Sequence, residues 1–162
     1  MGDDLSIVSL GTGRTATAIA CGESYTAVVL DNGTVKVWGR NNYGQLGQGN
    51  TTTRGDGPGE MGDNLAVTGL GSGRTGDKLA TGCYASHAGA RLDNGTLKFW
   101  GRNNCGQLGQ GNTTQIGDDA GEVAALSAVD LSSGSDVSLP VELASFHVLS
   151  TRSDAITLQW IT

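Results

Sequence analysis

The chain is poor in the residues that most function classes require. Only two histidines, three cysteines and two prolines occur in 162 residues, with three tryptophans, three tyrosines and two phenylalanines. Lys and Arg together number 10 against 16 Asp and Glu, a net charge of −6. That balance lacks the basic footprint that drives phosphate-backbone binding by counterion release, so nucleic acid is not expected as a partner. No apolar run has membrane-spanning length, and no membrane insertion is expected. The opening "MGDDLSIVSLGTG" has neither a basic region nor an apolar core of signal-peptide type, so the chain reads as soluble and without an address. Cys21, Cys83 and Cys105 show no CxxC spacing, which disfavours structural zinc and defines no disulfide framework. They are expected to be small, half-buried residues.

Glycine, by contrast, is abundant: 27 residues, suiting many short strands and turns rather than a helical bundle. The stretch "GRNNYGQLGQGN" (39–50) returns as "GRNNCGQLGQGN" (101–112), 62 residues on, with one letter changed. An active site is normally needed once, whereas a structural module is needed in every copy. The repeat extends well beyond this dodecamer. "MGDDLSIVSLGTGRT" (1–15) matches "MGDNLAVTGLGSGRT" (61–75), and "LDNGTVKVWGRNN" (30–42) matches "LDNGTLKFWGRNN" (92–104). A third copy starts at "LSAVDLSSGS" (126–135) and fades. Met1 aligns with Met61 inside the repeat, from which the chain is expected to begin within a longer array.

Asn32-Gly33 reads as a two-residue type I′ turn, which would set Leu30 opposite Val35, Val28 opposite Val37 and Ala27 opposite Trp38. One face would then carry Val28, Leu30, Val35 and Val37, and the other Tyr25, Ala27, Val29 and Trp38. In the second copy the same register sets Arg91 against Lys98, a like-charge pair. Both faces are largely apolar, so each sheet needs cover on both sides, as a stack of similar sheets provides. Strands are also expected at "ATAIACG" (16–22), "KLATG" (78–82), "SIVSL", "LAVTGL" and "LSAVDL". Four short strands per sixty-odd residues give an all-β fold of propeller-type blades. In the connecting dodecamer Gly39, Gly44, Gly47 and Gly49 are expected in glycine-only backbone conformations, Leu46 plugging inward, and Asn41 and Asn42 bonding backbone groups. The domains follow as 1–60 and 61–122 for two full repeats, 123–138 for a partial third and linker, and 139–162 for a two-stranded tail. Two copies leave a ring incomplete, unless the chain is an oligomer or a fragment.

The pattern from Ala20 to Gly49 and from Ala80 to Gly111, with WG-x-N-x-x-GQLG at its centre, resembles the repeats of the regulator of chromosome condensation family. The resemblance covers about three quarters of the chain. It implies a β-propeller used chiefly as a protein-binding platform, whose partner-binding residues lie in variable loops that the motif does not encode. Tyr25 stands where His87 and most family repeats have His, which makes His87 the family's structural histidine. The tail "LPVELASFHVLSTRSDAITLQWIT" (139–162) resembles the LPVEL-x-SF opening of a fibronectin-like domain in secreted Bacteroidetes-type proteins. Two alternating strands, "ELASFHVL" and "AITLQWI", are expected on either side of "STRSD".

Catalysis finds little support. His87 and His147 have no Ser, Cys or carboxylate around them in a nucleophile or metal spacing, and no enzyme is expected. "GTG" and "GSG" lack phosphate-loop spacing and read as turns. The acidic loop "RGDGPGEMGDN" (54–64) offers Asp56, Glu60 and Asp63 as candidate Ca²⁺ ligands, the theme returning at "GDDAGE" (117–122). No other cofactor is implied. Arg54-Gly55-Asp56 matches an adhesion tripeptide that such loops produce by accident, and the four Asn-x-Thr sequons read as turn chemistry. The expected function is a non-enzymatic protein-binding module of an exported bacterial protein, extracellular or on the cell surface. The alternative is a self-assembling structural protein, ring or filament, joined through unpaired blade edges.

Overall fold

The computed structural model describes residues 6–129, and the backbone of 145–152 and 155–161. The chain divides into two compact units, Met1–Leu131 and Ser132–Thr162. In the first, strands β1 (Ala16–Cys21), β2 (Tyr25–Leu30), β3 (Val35–Gly39) and β4 (Val67–Thr68) form one antiparallel sheet in that order. Strands β5 (Gly76–Ala80), β6 (His87–Leu92) and β7 (Leu97–Gly101) form a second, with Val129 bridged to Leu97 where a fourth strand belongs. The architecture is all-β and propeller-like, as the repeat implied. The fourth strand of the first blade comes from the second sequence repeat, so repeats 1–60 and 61–122 run out of step with the blades they build.

The hairpin register differs from the sequence expectation by one residue. Leu30 N–H donates to Thr34 O and Gly33 N–H to Leu30 O, both at 2.8 Å. This is a three-residue loop, a type I turn followed by Gly33 at φ 76°, rather than a two-residue type I′ turn. Asn32 stays at negative φ because its Oδ1 is held by Thr34, from N–H at 3.2 Å and from the hydroxyl at 2.8 Å. Val29 therefore opposes Val35, Ala27 opposes Val37, and Thr26 opposes Trp38. The second copy turns identically, so Arg91 opposes Leu97 and not Lys98. Its guanidinium grips Asp77 instead, with Nε 2.9 Å from one carboxylate oxygen and a terminal nitrogen on the other.

The corrected register defines the packing. Tyr25, Ala27, Val29, Val35 and Val37 share one face of the first sheet, and meet Ala88, Ala90, Leu92 and Trp100 of the second in a single core. The sequence counterparts of that second set, Val28, Leu30 and Trp38, lie on the opposite face of the first sheet. The front of one blade thus packs on the back of the next. Val28, Leu30, Val35 and Val37 are all buried, but on two faces rather than one. Both sheets bury a lysine on the back face. Lys36 Nζ donates to Leu10 O at 3.0 Å and Gly62 O at 2.7 Å; Lys98 Nζ donates to Val123 O and Ala124 O, each at 2.9 Å. Carbonyl partners make these buried ammonium groups tolerable, and burial lowers the pKa of Lys98.

Two further expectations change. "SIVSL" is not a strand: Ile7 is 94% exposed and Val8 56%, although their counterparts Val67 and Thr68 pair with Lys36 and Val35. Each outer strand attaches to the blade before it, and among the described residues no earlier blade stands there for Ser6–Leu10. The cysteines are not half-buried either; all three are exposed. In the second unit, β8 (Ser145–Arg152) pairs antiparallel with β9 (Ala155–Ile161). The first of these runs into the stretch expected as a loop, while 142–144 of its expected span lie outside the described residues.

The two turns offer a matched measurement. A Cβ on Gly33 would lie 2.6 Å from Thr75 Cβ in the neighbouring blade, whereas Gly95 at the same turn position has nothing within 4 Å. Gly95→Ala is expected to cost about 1 to 2 kcal/mol, the left-handed backbone penalty alone. Gly33→Ala should cost clearly more in urea unfolding, because it also pries the blades apart.

Candidate interaction surface

The repeated dodecamer folds into a tight loop that its own side chains hold. Asn41, fully buried, donates to Asn50 O at 2.8 Å and Thr52 O at 3.0 Å, and accepts Leu46 N–H at 3.0 Å. Asn103 reproduces this on Asn112 O, Thr114 O and Leu108 N–H. Gln45 Oε1 takes Tyr43 N–H at 2.9 Å and Gln107 Oε1 takes Cys105 N–H at 2.8 Å. Asn42, expected to share this role, is exposed. Leu46 and Leu108 plug inward in both copies. The glycines take positive φ as expected: Gly39 110°, Gly44 70°, Gly47 64° and Gly49 69°. The Asn-x-Thr sequons are turn chemistry too, with Asn50 and Asn112 each accepting the N–H of the Thr two residues on, at 2.9 Å.

In the first copy this loop is a cradle for the next blade. A Cβ on Gly44 would lie 2.4 Å from Asp118 N, one on Gly47 2.9 Å from Trp100 Nε1, and one on Gly49 2.6 Å from Ala120 Cα. Trp100 Nε1 donates to Gln45 O at 3.0 Å and Gly49 N–H to Gly117 O at 3.1 Å. Arg102 stacks over the Tyr43 ring at 5.1 Å, and Ser86 Oγ donates to Glu23 Oε2 at 2.6 Å. Tyr25 completes the joint by donating its hydroxyl to His87 O. Burial pushes the pKa of that phenol up, which keeps it a neutral donor.

In the second copy the same cradle is open. Among the described residues, nothing lies within 4 Å of a Cβ on Gly111, and only Asn112 and Val129 approach Gly106 and Gly109. Beside it is a cleft of about 330 Å³ lined by Tyr84, Ala85, Ser86, His87, Arg102, Asn104, Cys105 and Gln107. Tyr84 is 93% exposed. It sits where the second copy carries its two extra residues, between Gly82 and Leu92, so the insertion was the sequence signal for this surface. Cys105 is exposed because it occupies the Tyr43 position of a cradle that no following blade covers among the described residues.

The candidate calcium ligands have other occupations. Glu60 Oε2 accepts Gly55 N–H at 2.8 Å and Gly57 N–H at 3.0 Å, and these bonds, that from Gly57 foremost, lower its pKa. Glu122 staples its loop identically, on Gly117 N–H at 2.7 Å and Asp119 N–H at 3.0 Å. Asp63 accepts the Thr12 hydroxyl at 2.6 Å and N–H at 2.9 Å, and is held below the usual carboxylate range by them. Asp56 is exposed. Among the described residues no group of three or more His, Cys, Asp or Glu is placed to share a metal ion.

Antiparallel sheets of four and three strands stacked front to back, the first closed by a strand from the following repeat and the second bridged at its edge by Val129, are those of a β-propeller. Residues 16–45, which span β1 to β3 of the first blade, match the family model of the regulator of chromosome condensation (RCC1) repeat. Human E3 ubiquitin-protein ligase HERC2 is 32% identical over 104 residues, 62% of this chain and 2% of that protein. The zebrafish (Danio rerio) RCC2 homolog is 36% identical over 91 residues, 56% of this chain and 16% of that protein. The chain therefore spans a small part of the relatives it matches. Yeast RCC1 (Prp20), in its complex with Kap60, shares the fold with a TM-score of 0.53 at 18% identity, over 78% of this chain and 27% of that one.

Two measurements follow. Burial lowers the pKa of His87 from its ordinary 6.5, so the unfolded chain takes up the proton first. The stability that the neutral imidazole supports is whole above the unfolded value and is lost as pH falls from 6.5 toward the folded one. The melting temperature is expected to drop between pH 7 and 5, and His87→Tyr, which installs the residue of the first copy, should flatten that drop. Calcium added to chelator-treated protein is expected to release no heat in calorimetry, while Glu60→Gln still lowers the melting temperature.

Proposed function

We propose that this chain is a non-enzymatic propeller-repeat module of an exported bacterial protein, binding other proteins through the open end of its second blade. One observation carries the reading. A cradle that receives protein backbone in the first copy is repeated, letter for letter over "GQLGQGN", and stands open in the second. The cleft beside it offers an exposed aromatic ring, an imidazole, a guanidinium and a thiol, a mixed surface suited to a polypeptide. Yeast RCC1, which shares the fold, has been solved bound to Kap60, which supports protein recognition as the use of such blades. The resemblance of the LPVEL-x-SF tail supports export and an extracellular or cell-surface location. A structural role by self-assembly has its own support in the exposed Ser6–Leu10 segment, whose counterparts in the later copies join blades.

The test is capture of proteins from the native source by immobilised chain, compared with Tyr84→Asp and Cys105→Glu, two exposed residues of the cleft. Loss of the same specific partner in both variants, with melting unchanged, is the expected outcome. Equal retention would place binding elsewhere.

A further inference from the structure

We propose that the outer edge of the first blade receives an extended, basic peptide segment of another protein, which pairs with the backbone of Val67 and sets its side chains into the two clefts that flank Ala66. Both clefts are walled by residues between 47 and 124, so the surface is internal to the chain and distinct from the Tyr84 cleft.

The edge presents backbone groups that the sheet does not use. In the second blade Leu97 and Val129 exchange both hydrogen bonds, Leu97 N–H to Val129 O at 3.2 Å and Val129 N–H to Leu97 O at 2.7 Å. Their counterparts Val35 and Thr68 face each other across β3 and β4. Backbone groups alternate in direction along an antiparallel strand, so the N–H and C=O of Val67, opposite Lys36, point away from β3. Among the described residues no further strand lies beside β4, and Val67 is 47% exposed. Gln48 fastens this strand from its inner side, donating Nε2 to Val37 O at 3.1 Å and to Ala66 O at 3.3 Å. The edge is therefore held in position before anything binds it, which lowers the cost of adding a strand.

The two clefts meet at Gln48 and Ala66. One, of about 210 Å³, is lined chiefly by small and apolar residues, among them Gly49, Val67, Gly69, Ala120 and Val123. The other, of about 240 Å³, is polar, with Asn50, Arg54, Glu60 and Asn64 in its wall. Successive side chains of a strand point to opposite sides. A strand laid beside Val67 thus gives one residue to the small cleft and its neighbour to the polar one, backbone bonds supplying affinity and the clefts selecting side chains. Charge sets the second choice. The loops that wall the clefts, 54–64 and 117–122, carry Asp56, Glu60, Asp63, Asp118, Asp119 and Glu122 against the single base Arg54. Glu60 Oε2 is taken by two amides, while its Oε1 is 3.8 Å from the Arg54 guanidinium, beyond hydrogen-bond reach. The segment that fits is one in which a small apolar residue adjoins a lysine or arginine.

The test is selection of linear decapeptides from a randomised phage-displayed library on the immobilised full chain, followed by fluorescence anisotropy with the synthetic peptides recovered. Peptides carrying that neighbouring pair should be enriched, and their binding should weaken as salt is raised and on Asp119→Lys, an exposed position. Val67→Pro deletes the outward N–H at an edge position that tolerates proline, and should weaken binding about tenfold, the scale of one hydrogen bond. N-methylation of the peptide leaves the protein untouched; it should abolish binding at the residue facing Val67 and spare the neighbours on either side, whose N–H groups point away. Should Val67→Pro fail to fold, the methylation pattern decides alone. Failure to enrich any peptide, or peptides indifferent to both Val67→Pro and N-methylation, would overturn the proposal. Peptides lost on Tyr84→Asp instead would overturn it too, while assigning binding to the Tyr84 cleft. Retention on Tyr84→Asp with loss on Val67→Pro is the expected result.

Discussion

The structure depends on one close approach of backbone to backbone, at Gly44, Gly47 and Gly49, where the next blade sits nearer than any side chain would permit. Sheets that are apolar front and back are stable only when covered on both sides, and stacking of like on like is the arrangement one repeated sequence can encode. The glycine loop sets the distance and angle of that stacking. Trp100 then fills the gap, with its indole nitrogen satisfied by Gln45 O at 3.0 Å. A buried tryptophan of this kind is worth about 3 to 5 kcal/mol against alanine. Its N–H needs an acceptor in the dry joint, so the contact selects position as well as stabilising it.

Polar and charged residues mostly serve this geometry. Asn41 and Asn103 satisfy loop carbonyls and an amide that no sheet ladder reaches. Glu60 and Glu122 tie down their loops through two backbone amides each. Arg91, which replaces Val29 on an uncovered face, finds Asp77 on the adjacent strand. Among the described residues, Gln45 Nε2 alone is a buried side-chain polar atom without a partner, and it lies within the cradle loop.

What the sequence made legible was whatever the repeat wrote twice. The all-β blade pattern, the left-handed glycines, the inward Leu46 and the structural Asn41 all follow from residues whose chemistry allows one role. The register of the hairpin was not legible, because Asn-Gly serves a two-residue turn as well as a three-residue one. The choice is made by Asn32, whose side chain bonds Thr34, and that single residue of slip moved Val35 and Val37 to the other face. Ser6–Leu10 has the pattern of a strand, yet pattern cannot supply the neighbouring blade that a strand must pair with. The acidic loop has a cation site's composition, but its amides claim Glu60 first. The open surface was not legible, because Tyr84 belongs to the two residues that have no counterpart in the first copy, and an insertion by itself names no use.

The half-step between sequence repeat and blade has a consequence for how such a gene can grow. The piece that is complete in space runs from Ala16 to Thr68, whereas the piece visible as a unit in the letters begins at Met1 and again at Met61. Duplicating the visible unit delivers three strands of a new blade together with the missing outer strand of the old one. Every insertion thus latches itself to its predecessor, and the array lengthens without ever passing through an unsealed form.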